Sequence, residues 1–257
     1  VSEERLVGGN THAEIVKIGD TVRRPTGSWT PGVHALLAYL ERSGYGGAPR
    51  ALGVDGEGRE VLTYIAGDVV WPDHVELVES DAALAEVAAT IRAFHDAVAS
   101  FPGLGDFAWS NRGADPRGPA EILCHNDLAP WNLVHGGDGG WAFIDWDLAA
   151  PGRRSWDLAL ALLSLAPLMP GRTGTDLRAR ERIATFRAAY GADRFPSDVL
   201  AVAVERCQVE ADLIDRLGAA GEEPYARLRA EGHALVWHDA ARHIAARAPA
   251  WEAALSS

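Results

Sequence analysis

The chain has 257 residues, 47% of them hydrophobic, and a formal net charge of −12. That length supports a core of its own, and the acidic surplus disfavours nucleic acid and anionic membranes as partners. Two cysteines (Cys124 and Cys207) are too few for a disulfide framework, no apolar run is as long as a membrane span, and the first residues lack the order of a signal peptide. A reduced, globular, cytoplasmic protein is the expectation.

The chain begins strand-rich. Leu6-Val7 runs into the turn Gly8-Gly9-Asn10. Glu14 to Ile18 and Thr21 to Arg24 flank Gly19-Asp20 as a hairpin closed by Pro25. Thr30-Pro31 reads as the N-cap and first turn of a helix, with the stripe Val33, Leu36, Leu37 and Leu40 and a stop at Gly44. Ala51 to Val54 and Glu60 to Ile65 are further strands around the turn Asp55 to Gly58.

After Gly67 long helices take over. Leu84, Val87, Ala88, Ile91, Phe94 and Val98 share one helical face. Glu121 to Cys124 is a strand leading into a polar loop, and Leu133-Val134 and Trp141 to Ile144 flank a glycine turn. Ser155 caps a nearly all-apolar helix, Trp156 to Leu165, which must be buried. Helices follow near 176–190, 197–217 and 224–247. Strands first and helices after predict an α+β, two-lobed plan with a β-rich lobe over 1–66 and a helical lobe over 67–257.

The chemistry concentrates in His125-Asn126-Asp127-Leu128-Ala129-Pro130-Trp131-Asn132 and in Phe143-Ile144-Asp145-Trp146-Asp147. Phosphoryl transfer needs one carboxylate to accept a hydroxyl proton, and an amide and a second carboxylate to hold Mg²⁺ on the phosphates. Asp127 and Asn132 lie on one polar loop, and the short hairpin that follows returns Asp145 beside it. The segments resemble the H-[GN]-D-x-x-x-x-N and I-D-[WF]-[DE] motifs of the aminoglycoside phosphotransferase and choline kinase-like family, which has a protein-kinase-like fold.

The resemblance implies that Asp127 is the base, that His125 supports its loop, and that Asn132 and Asp145 are metal ligands. It places Asp157 beneath the loop as a structural brace. It implies ATP as phosphoryl donor, with Gly8, Gly9 and Asn10 covering the phosphates and the backbone of Thr63 and Ile65 at the adenine edge. Aligned on the Gly19 turn, Arg23 takes the place of the family's phosphate-binding lysine, with Arg24 the near alternative. The only lysine, Lys17, falls one strand too early. His34 stands where the helix carboxylate that pairs with this cation is expected, a departure from the pattern.

Trp131, Asp147, Glu205 and Trp237 are candidate acceptor contacts, because acids and aromatics suit a cationic small molecule. The expected function is an ATP-dependent phosphotransferase acting on a hydroxyl of a small molecule, with an aminoglycoside as one acceptor class. A metabolic kinase with a choline-, sugar- or amino-alcohol-like acceptor stays open, as does a catalytically silent nucleotide-binding protein.

Overall fold

The computed structural model describes residues 3–6, 15–117, 119–166, 168–170 and 176–256. Strands β1 (Glu3–Arg5), β2 (Val16–Ile18), β3 (Thr21–Pro25), β4 (Ala51–Val54) and β5 (Arg59–Thr63) form one antiparallel sheet in the order β1-β2-β3-β5-β4. The register pairs Arg24 on β3 with Glu60 on β5. Helix α1 (Thr30–Arg42) buries the expected stripe Val33, Leu36, Leu37 and Leu40. Thr30 is not its N-cap. Its hydroxyl accepts a bond from the Gly27 N–H behind it at 2.9 Å, so Trp29 occupies the cap position without a side-chain bond.

Beyond the sheet, β6 (Gly67–Val69) leads to α2 (Asp81–Val98). Ser80 caps this helix by accepting from Ala83 N–H at 3.1 Å, and its predicted apolar face is buried. Strand β7 (Ile122–Cys124) precedes the polar loop. Strands β8 (Leu133–Gly136) and β9 (Trp141–Phe143) join β6 in a three-stranded sheet, and β10 (Ala150–Gly152) pairs with β7. Strands β6 and β10 are three residues each, too short for a periodic signal.

Helix α3 (Arg154–Leu165) is buried on nearly every side. Each large apolar side chain so enclosed contributes about 1.5–3 kcal/mol relative to exposure. Ser155 lies inside it rather than capping it, with its hydroxyl 3.5 Å from Asp198. Around it pack α4 (Asp176–Tyr190), α5 (Val199–Ala219), α6 (Tyr225–Ala230), α7 (His233–Trp251) and α8 (Ala253–Ser256). The helix expected over 224–247 is two helices, because Gly232 adopts φ 82° between them. Glycine enters that left-handed region at little cost and breaks the run.

A sheet-bearing part with one helix, followed by a helical body around α3, makes an α+β, kinase-like two-lobed architecture. Cys124 and Cys207 are both buried free thiols. No described helix is long and apolar enough to cross a membrane.

Candidate active site

Strand β7 consists of three buried residues and delivers the chain to the polar loop, and the site holds two residues in unusual backbone states. Asn126 has φ 65° and Asp145, just past β9, has φ 60°. A non-glycine residue in this region costs about 1 kcal/mol and persists where its surroundings over-determine it. For Asn126 those surroundings are explicit. Its N–H donates to Asp157 Oδ1 at 2.8 Å, and its side-chain amide donates to the Leu148 carbonyl at 2.8 Å. Asp157 also accepts from His125 N–H at 2.8 Å. Sitting in the first turn of α3, Asp157 thus braces the loop from within the helical body.

His125 is buried and clamps the two halves of the site together. Its Nδ1 accepts from Asp127 N–H at 3.2 Å, which leaves Nε2–H to donate to the Ile144 carbonyl at 3.2 Å. Burial holds its pKa below the usual histidine value, so the neutral ring makes both bonds.

Asp127 is the focus. Its carboxylate accepts from the Asn132 side-chain amide at 2.7 Å and from the Trp131 indole at 3.1 Å to each oxygen. Burial, and then the charge of Asp145, push its pKa up to about 7. A general base works best with a pKa near the operating pH, so this environment suits proton acceptance at neutrality.

Asn132 ends a short 3₁₀ turn, Pro130–Asn132, that folds its side chain back over Asp127. Its Nδ2 donates to the carbonyl and carboxylate of Asp127, so the atom it could offer a metal is its amide oxygen. The Asn132 carbonyl accepts from Ile144 N–H at 2.9 Å, which docks Asp145 next to it. Among the described residues no group of three or more His, Cys, Asp or Glu forms a ready metal cage. An amide oxygen and a carboxylate fit Mg²⁺, which takes one or two carboxylates and completes its shell with waters and phosphates.

The two arginines of β3 go to different partners. Arg23 turns to Thr21 Oγ1 at 2.5 Å and approaches Asp55 at 3.5 Å. Arg24 is buried and reaches Asp145 at 2.9 Å and Asp147 at 2.5 Å. Adjacent strand residues face opposite sides, so of the two it is Arg24 that turns toward Asp145 and Asp147. Burial pushes the Arg24 pKa down, but Asp147, Asp145 and Glu60 outweigh it and hold it above the ordinary value. The Arg24 Nε donates to Glu60, and the other Glu60 oxygen lies 3.0 Å from His34 Nε2. The carboxylate partner absent from α1 is therefore on β5, and His34 holds it from the helix.

The remaining sequence-derived candidates scatter. Gly8, Gly9 and Asn10 lie outside the described residues. The Thr63 N–H bonds to the Arg50 carbonyl at 3.0 Å, while Ile65 lies on the connection to β6. Lys17 stacks on Tyr64 with its ammonium 4.0 Å from the ring centre. Glu205 is taken up by Arg117 at 2.6 Å and Arg153 at 3.5 Å. Trp237 packs against the core from α7. The structure does not join Glu205 or Trp237 to Asp127. It does bring in Glu210 and Arg206 of α5, whose charges act on the Asp127 carboxyl. A fully buried arginine is the signal that would have found Arg206, and burial of that position is not readable from an amphipathic helix of this composition.

A β-sheet presenting a buried cation to a carboxylate-bearing loop on a helical body defines the class, a two-lobed protein-kinase-like fold. Within it, residues 106–203 match the Phosphotransferase enzyme family, APH. Over 164 residues the chain is 32% identical to the trifolitoxin immunity protein of Rhizobium leguminosarum bv. trifolii, a match covering 63% of this chain and 61% of that relative. The chain thus matches less than two thirds of the length of that curated relative.

In fold it is similar to a choline/ethanolamine kinase family protein from Mesorhizobium loti, with a TM-score of 0.64, 19% identity, and coverage of 99% of this chain and 92% of the other. It is also similar to spectinomycin phosphotransferase, with a TM-score of 0.62, 10% identity, and coverage of 94% and 92%. Aminoglycoside 2'-phosphotransferase-IIIa gives a TM-score of 0.59 at 16% identity, covering 94% and 93%. The likeness read from the Asp127 loop, to this family and to its kinase-like fold, is borne out.

Proposed function

We propose that the chain transfers the γ-phosphoryl group of ATP to a hydroxyl of a small molecule. The observation that carries this reading is the placement of the Asp127 carboxylate, fixed between the Asn132 amide and the Trp131 indole on the loop that packs against Asp145, where burial raises its pKa toward neutrality. The acceptor oxygen forms a bond to the γ-phosphorus, the bond from that phosphorus to the β–γ bridging oxygen breaks, and ADP leaves. The hydroxyl proton passes to Asp127. Asn132 and Asp145 would hold Mg²⁺, which when bound neutralises charge on the β- and γ-phosphates. Arg24, which reaches Asp145 and Asp147, would meet the phosphates from the sheet. Nucleotide use is also supported by the relatives in fold, since the spectinomycin enzyme was solved with ADP and the 2'-phosphotransferase with GDP.

For the acceptor, an antibiotic or toxin is the first reading, supported by the trifolitoxin immunity relative. A quaternary-amine or amino-alcohol acceptor is the second. Its support is the exposed indole surface of Trp71 and Trp131, with Trp131 hydrogen-bonded to the base. Aromatic faces attract such cations. A Mg-ATP turnover screen across aminoglycosides, spectinomycin, trifolitoxin, choline, ethanolamine and sugars tests both. Turnover that Asp127→Asn abolishes supports the kinase reading. Failure to bind Mg-ATP at all would sink it and leave a chain with only the fold of a kinase.

A further inference from the structure

The peptide plane between Asn126 and Asp127 is held at both ends. Its N–H donates to His125 Nδ1 at 3.2 Å. Its carbonyl accepts from Arg206 Nη2 at 2.7 Å. The tilt of this plane sets ψ of Asn126 and φ of Asp127, and so the direction in which the Asp127 side chain leaves the loop. Asn126 stands at φ 65°, a state that needs outside support.

Arg206 comes from α5, 80 residues further along the chain, and is 1% exposed. Its guanidinium lies over the Trp156 ring, with Cζ 4.8 Å from the ring centre. Its Nε donates to Glu210 Oε1 at 3.0 Å. The guanidinium is therefore held by α3 on one face and by Glu210 along its Nε–Nη2 edge, since Nη2 also lies 2.9 Å from Glu210 Oε1, and Nη2 reaches on from that edge to the loop carbonyl. A rigid multi-donor fork suits this task, and a single ammonium does not replace it.

We propose that Arg206 is a positioning residue that locks the peptide before Asp127 and so aims the carboxylate at the acceptor hydroxyl. Its catalytic meaning rests on the phosphotransferase reading; its effect on the loop does not. A buried arginine that merely fills the space over Trp156 would leave the loop unchanged when replaced by a side chain of similar bulk.

The test uses the full chain labelled with ¹⁵N at its nine tryptophans. The Trp131 indole N–H, assigned through Trp131→Phe, reports the loop because it bonds to Asp127. In Arg206→Leu the Trp131 signal should move and exchange faster with water. If Arg206→Leu does not fold, Arg206→Lys keeps the charge over Trp156 and loses the fork, and the Trp131 signal should still move. With an acceptor from the screen, turnover should fall about 10–100-fold with the Michaelis constant for Mg-ATP nearly unchanged, the signature of a misaimed base. Arg206→Lys should recover part of that loss. An unmoved Trp131 signal in a folded variant overturns the proposal, as does a loss confined to the Michaelis constant. A moved signal in a chain whose wild type phosphorylates nothing supports the loop-locking role and counts against the kinase reading alone.

Discussion

Arg24 and Glu60 are cross-strand partners whose buried side chains are hydrogen-bonded, with His34 behind Glu60 and Asp145 in front of Arg24. The cation at the site is thus anchored within the sheet rather than by a helix carboxylate. Anchored in this way, the guanidinium is held extended toward Asp145. Arg24→Lys keeps the charge but cannot serve Glu60, Asp145 and Asp147 together. It should raise the Michaelis constant for Mg-ATP and lower turnover by roughly tenfold, the loss of about 1.4 kcal/mol. Arg23→Lys should change either constant less than about twofold, since its partners lie on the far face. Parallel Mg-ATP titrations decide, and a severe Arg23 variant beside a mild Arg24 variant would reverse the assignment.

Asp127→Asn should lower turnover about 10²–10⁴-fold, the usual weight of a general base. It should also stabilise the fold, with a sign that depends on pH. The Asp127 carboxyl titrates near 7 in the folded chain and near 3.9 when unfolded, so the folded state binds the extra proton between those values. Ionising it in place costs stability that grows as pH rises from about 4 to about 7 and is complete above that. With the side chain half-buried and partly screened by water, the gain from Asp127→Asn at alkaline pH should be about 1–2 kcal/mol. Urea unfolding at pH 8 should therefore find Asp127→Asn more stable than wild type, and near pH 4 the difference should vanish. Equal differences at both values would mean that Asp127 is not strained by its site.

Much of this site is legible in the amino-acid sequence. The loop from His125 to Asn132 and the segment around Asp145 are local in sequence, and the apolar strands flanking them set their geometry. Arg24 with Glu60 is harder to read, because a helix and another strand intervene and register across them is not a local property. Glu205 misleads for a similar reason. An acid on a helix can face acceptor or arginine, and only packing brings Arg117 and Arg153 to it. The helix caps differ from expectation by single residues at Thr30 and Ser155, where backward and tertiary bonds take the hydroxyls.

Asp145→Ala should weaken Mg-nucleotide binding much more than binding of the metal-free nucleotide, since a carboxylate assists an anion only through a cation. Removing the carboxylate also frees one edge of Arg24, which should leave metal-free affinity equal or slightly improved. Calorimetry with and without Mg²⁺ separates the two. Matching losses in both titrations would take Asp145 out of the metal site.

The brace under the loop makes its own prediction. Burial pushes the Asp157 carboxyl up, but His95 and the backbone N–H of His125 outweigh it and hold it below the usual carboxylate range. His95 is buried between Asp157, 3.2 Å from its Nε2, and the Tyr190 hydroxyl, 2.9 Å from its Nδ1. Burial holds both His95 and His125 below the ordinary histidine pKa despite their acidic neighbours. A base with a depressed folded pKa gains its proton first in the unfolded chain. Stability from these two rings is therefore complete above about pH 6.5 and is lost as pH falls below it, by up to about 1.4 kcal/mol per unit for each ring. Asp127 acts in the opposite sense over the same range, so the measurement belongs in the Asp127→Asn background. There, urea stability should fall between pH 7 and 5, and His95→Gln should remove about half of that slope. A slope that His95→Gln leaves intact would assign the acid sensitivity to other groups. Asp157→Ala, beneath the loop, should be the most damaging of these substitutions at neutral pH, at about 3 kcal/mol or more, because it strands the backbone donors of His125 and Asn126 in the interior.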